Sequence, residues 1–158
     1  MSGLRLCAVT LCLVALAPGC GGDESPTTPE PQADEFVSAA NEACAETESA
    51  AEQYNEEIES VGLHSPESVR YLRRAAAARR RGLAELRMVK PPEADAAEYE
   101  EFLRAYEVNL VKLELVATTI EQGDVEEAQR IEEDVNRSTE EESDPLAAEL
   151  GIDECASG

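Results

Sequence analysis

One histidine, five cysteines and a large excess of carboxylates are the side chains in this sequence that could do chemistry. His64 lies between Leu63 and Ser65 in what the sequence predicts to be a turn. Triad chemistry would need a nucleophile held against that ring, and no nucleophile motif supplies one. The adjacent carboxylates Glu100-Glu101 and Glu132-Glu133 invite comparison with di-metal helical bundles. Those sites use Glu followed three residues later by His, and no such pair occurs here. The acidic stretches also miss the spacing of a calcium loop, and there is no glycine-rich phosphate loop. The expectation is a protein that is not an enzyme, with no cofactor and no metal-ligand set.

The cysteines say more. Cys7 and Cys12 sit in an apolar run of ten residues, Cys7 to Leu16, which follows one positive charge, Arg5, and precedes Ala17-Pro18-Gly19-Cys20. A positive start, a short apolar stretch and a small residue before a cut describe a secretory signal over residues 1–19. Spanning a bilayer as a helix takes roughly 20 residues, so an uncleaved transmembrane anchor is disfavoured. Leu16-Ala17-Pro18-Gly19-Cys20 resembles the lipobox of bacterial lipoproteins, with the leucine one place earlier than usual. The resemblance implies that Cys20 is diacylated, becomes the mature N-terminus and tethers the chain to the extracytoplasmic face of the cell membrane. Two acyl chains are what stable attachment requires. An ordinary secretory signal cut near Gly19 is the alternative. Residues 20–32 are polar and rich in Gly and Pro, as a flexible tether would be, with a reach of roughly 30–40 Å at about 3.1 Å per residue. The Ala-, Arg-, Glu- and Pro-rich composition resembles secreted proteins of GC-rich bacteria, actinobacteria in particular.

With the signal removed and Cys20 acylated, Cys44 and Cys155 are left. In an exported protein, an even remainder of two implies one disulfide. No further Cys or His stands ready to complete a metal site, and the spacing is not that of a Cys-x-x-Cys redox pair.

The elements that must carry these residues are helical. The 158-residue chain is 42% hydrophobic with 4% aromatic residues and no Trp, so its core is built from Ala, Leu and Val stripes in a single domain, residues 33–158. From Asp34 to Val61, Phe36, Ala40, Ala43, Thr47, Ala51, Tyr54, Ile58 and Val61 recur in steps of three and four. Gly62 ends this helix. Ser65-Pro66 opens a second, through about Val89, with Val69, Leu72, Ala76, Leu83 and Leu86 on its stripe and Pro91-Pro92 beyond it. A third, about Ala94 to Gln122, presents Tyr99, Phe102, Leu103, Tyr106, Leu110, Leu113, Ala117 and Ile120. Asp124 caps a weaker fourth carrying Val125, Ala128, Ile131 and Val135. The glutamates before Ser143 are expected to fray, and Asp144-Pro145 to start a separate last turn. Short connections favour antiparallel neighbours, so the predicted fold is all-α, an up-down-up-down four-helix bundle closed by a Cys44–Cys155 disulfide. An even number of antiparallel helices returns Cys155 to the end where Cys44 lies.

The formal charge is −22, from 35 acidic against 13 basic residues, which excludes a nucleic-acid partner on electrostatic grounds. The charge is segregated. Between Ser65 and Lys90, eight basic residues face two acidic ones, a local +6. Arg70, Arg73, Arg74, Arg80 and Arg81 form a candidate basic strip. It either meets anionic lipid headgroups, wall polyanions or an acidic partner, or neutralises the acidic helices beside it. Arg79 falls inside the apolar stripe, where it snorkels or pairs with a neighbouring carboxylate. Val108, Val111 and Leu115 lie on the back of the third helix. They mark a contact surface for a homodimer or an envelope partner, or are covered by the segment Leu146 to Ile152.

Two functions fit. One is a membrane-anchored helical interaction or structural module of the cell envelope. The other is an acidic ligand- or cation-binding lipoprotein.

Overall fold

The structure, a computed structural model, describes residues 30–156. The signal segment 1–19, the acylation candidate Cys20 and the tether as far as residue 29 lie outside the described residues. Five α-helices follow in order: α1 Glu30–Val61, α2 Val69–Leu86, α3 Ala96–Glu121, α4 Val125–Ser138 and the short α5 Asp144–Glu149. Among the described residues there is no strand.

Helix boundaries follow local chemistry. α1 starts at Glu30, earlier than the expected Asp34 and inside the stretch assigned to the tether. Pro31 is compatible with this start, because the missing N–H of a proline has no intrahelical acceptor in the first turn. Gly62 ends the helix at φ 86°, a conformation that costs glycine nothing. Ser65 then caps a 3₁₀ turn, Pro66–Ser68, by accepting a 3.3 Å hydrogen bond from the Ser68 amide, and that turn runs into α2. Asp124 caps α4 through its Oδ1, which accepts from the Glu127 amide at 3.1 Å.

The stretch expected to fray does not. Thr139–Ser143 is π-helical and joins α4 to α5 without a break. In a regular α-helix Pro145 would lack an amide proton and crowd the carbonyl four residues back, that of Glu141, and the wider π turn accommodates both disruptions.

Contacts between helices match opposite ends. Ile58, late in α1, shares a core cluster with Val69 and Leu72, early in α2. Phe36 and Ala40, early in α1, meet Leu86 at the end of α2 and Tyr99 and Phe102 at the start of α3. Ile120, late in α3, meets Ala128, early in α4. The core therefore has two heavy ends. One is aromatic, with the Phe36 and Tyr99 rings edge to face at 5.0 Å and the Tyr99 hydroxyl donating to the Leu86 carbonyl at 2.7 Å. Ile152 and Leu150, from the segment after α5, complete it. The other end is aliphatic.

The middle of α1 contributes only small side chains, Ala43, Thr47 and Ala51, and α2 answers with Ala75, Ala78 and Gly82. These pull α1 and α2 together. α1 and α4 do not pack against one another. Cys44 and Cys155 are joined by a disulfide, with Cα atoms 5.1 Å apart across 111 residues of sequence. Beside it, Asn41 holds the terminal turn, accepting from the Glu154 amide at 3.0 Å and donating to the Gly151 carbonyl at 3.4 Å.

Candidate functional site

Where α1 and α4 stand apart, a cleft of about 470 Å³ opens between them over α3. Its floor is Tyr106, Leu110 and Leu113 of α3, with Val135 from α4. One end wall is the Cys44–Cys155 bridge. Another is the π-helical stretch, whose Thr139 and Ser143 hydroxyls each accept a 3.1 Å hydrogen bond from Asn109 Nδ2. Asn109 Oδ1 is buried with no hydrogen-bond partner among the described residues.

Arg79 reaches the cleft from α2 and is held there by Glu48 of α1. Its Nε and Nη2 donate to the two carboxylate oxygens at 3.3 and 3.0 Å. This fork satisfies an arginine that falls on the apolar stripe of α2. Burial pushes the Tyr106 hydroxyl up to about 12; the Glu48 charge adds to the rise and Arg79 opposes it. Glu140 and Glu154 also line the cleft, and neither carboxylate has an ion-pair partner among the described residues.

Compared with protein-family models, curated proteins and solved structures, the chain matches none.

The arginines of α2 are placed in two groups. Arg73, Arg80 and Arg87 stand seven residues apart and pair with Glu121, Glu114 and Glu107 of α3, at 2.6, 2.5 and 2.7 Å. The same heptad spacing runs in opposite directions on the two helices, so every second turn of the α2–α3 seam carries one charge pair. Arg74 and Arg81 are exposed without a partner among the described residues, and Arg70 lies over the Tyr71 ring with its guanidinium carbon 4.4 Å from the centroid. Of the five candidate strip residues, Arg73 and Arg80 are thus engaged with α3.

Val108, Val111 and Leu115 are 45%, 54% and 48% exposed on the face of α3 away from the cleft. α5 lies beside the start of this stripe, with Pro145 and Leu146 flanking a shallow depression next to Val108, and leaves the stripe open. His64 Nε2 stands 2.8 Å from a carboxylate oxygen of Glu132 on α4, linking the α1–α2 turn to that helix. Among the described residues no group of three or more His, Cys, Asp or Glu is placed to hold a metal ion. None of the described helices is long and apolar enough to cross a membrane.

The cleft is the feature that sequence reasoning missed. The heptad match between the arginines and glutamates was available as a signal for the α2–α3 register. Asn109, a polar residue next to the apolar face of α3, was the available signal for a polar wall.

Proposed function

We propose that this chain is a membrane-anchored lipoprotein of the extracytoplasmic face, held by a diacyl group on Cys20, whose helical domain is an interaction module of the cell envelope. The observation that carries the interaction reading is the row Val108, Val111 and Leu115. These are three large apolar side chains about half exposed on one helix face, in a domain whose other large apolar residues, Met88 and Val125 apart, are buried or partly buried. The lipobox-like segment and the Cys44–Cys155 disulfide both fit an exported protein. The same reading takes the four long helices as an up-down-up-down bundle. The matching of opposite helix ends supports it, and the disulfide ties the α1 side to the C-terminal turn.

Cross-linking in intact membranes tests the module. The full chain should yield a discrete cross-linked species, either two copies or one copy with an envelope protein, and Leu115→Asp should abolish it while the monomer stays folded. A species that survives Leu115→Asp would assign the contact elsewhere. The anchor has a separate test: Cys20→Ala should release the chain from the membrane fraction.

A further inference from the structure

We infer that the cleft between α1 and α4 is a binding site for a small organic cation that carries an apolar body, such as an aromatic amine. This site is independent of the α3 contact row, which lies on the opposite face of that helix. At about 470 Å³ the cleft falls within the roughly 300–1,000 Å³ of ordinary ligand pockets. Its floor of Tyr106, Leu110, Leu113 and Val135 suits a ring or short alkyl group.

Charge decides the class. Glu48 is matched by Arg79, but Glu140 and Glu154 at the rim have no cationic partner among the described residues. Asn109 Oδ1, buried and without a hydrogen-bond partner among the described residues, leaves further negative partial charge in the same wall. With Arg79 balanced by Glu48, the net charge of the lining is negative, and in a concave site that excess repels anions. Tyr106 lines the cleft as well, and an aromatic ring is a favourable neighbour for a cation. A bare metal ion is the poorer fit, since no group of three ligating side chains is assembled among the described residues. An ammonium on an apolar body answers floor and rim together.

Titration calorimetry on the full chain in detergent tests this with three probes of one shape: phenethylamine, phenethyl alcohol and phenylacetate. Phenethylamine should bind saturably, one per chain, with the alcohol at least tenfold weaker and phenylacetate silent. Asn136→Trp, at an exposed rim position where it does not disturb the core, should block the amine by tenfold or more. Glu140→Gln with Glu154→Gln should weaken it several-fold, and Leu115→Asp should leave it unchanged. The inference is overturned by absence of saturable amine binding or by equal binding of alcohol and amine. Amine binding that ignores both cleft variants would also overturn it, marking diffuse attraction to an acidic surface. Far-ultraviolet circular dichroism of each variant confirms that a loss of binding is not a loss of fold.

Discussion

Gly82 of α2 faces Thr47 of α1 so closely that a Cβ added at Gly82 would stand 1.8 Å from Thr47 Oγ1 and 2.8 Å from its Cβ. The Thr47 hydroxyl is already committed, donating to the Ala43 carbonyl at 2.7 Å. Turning the side chain away does not clear the Cβ, so the backbones themselves must part. Gly82→Ala should therefore destabilise the fold. Overpacking of this kind costs about 1–3 kcal/mol, and the better helix propensity of alanine returns about 1 kcal/mol at most. A double-mutant cycle with Thr47→Ala in urea unfolding should find a coupling of about 1 kcal/mol or more. Additive effects would mean that the crossing is looser than its geometry.

The heptad ladder between α2 and α3 should behave as exposed ion pairs do. Arg73→Gln, at one outer rung, should cost about 0.2–1 kcal/mol, and less as salt is raised. Reversing the middle rung with Arg80→Glu should cost more, since the new carboxylate faces Glu114. Adding Glu114→Arg should restore most of the unfolding midpoint. If the double reversal is no better than the single one, the pairing does not set this seam.

Alkaline pH should unpick the core. Burial holds Tyr99 and Tyr106 near 12, against an ordinary value of 10.0, so the folded chain keeps these phenols protonated where the unfolded chain releases them. Their contribution is whole below pH 10 and is lost as pH rises towards 12. The loss is on the order of 2 kcal/mol for each tyrosine. Urea midpoints measured across that interval should fall, and Tyr106→Phe should flatten the fall. An identical decline in the variant would remove Tyr106 from the account.

Opening the disulfide should be the costliest single change. A closed loop of this length restrains the unfolded chain by roughly 4–5 kcal/mol in the chain-entropy treatment. Cys44→Ala with Cys155→Ala should lose most of that, and the reduced wild type should match it. Because Ile152 and Leu150 sit in the aromatic end of the core, amide exchange should accelerate first in residues 150–156. Protection unchanged in that turn would show that packing alone holds it.

The sequence by itself determined the helices and the disulfide, because both rest on local or countable signals: apolar steps of three and four, caps at Ser65 and Asp124, a terminator at Gly62, and two cysteines left once the signal-like segment and Cys20 are set aside. It also held the α2–α3 register in the spacing of Arg73, Arg80 and Arg87 against Glu107, Glu114 and Glu121. Tertiary structure decided the rest. The run of glutamates before Ser143 is too polar to be expected as ordered helix. It is held because α5 and the turn beyond it bury Ala147, Leu150 and Ile152 against α1 and α3. The cleft depends on a shortfall of volume, small residues drawing α1 to α2 while α4 stays away. Such a shortfall is a sum over four helices and is written in no single stretch of the chain.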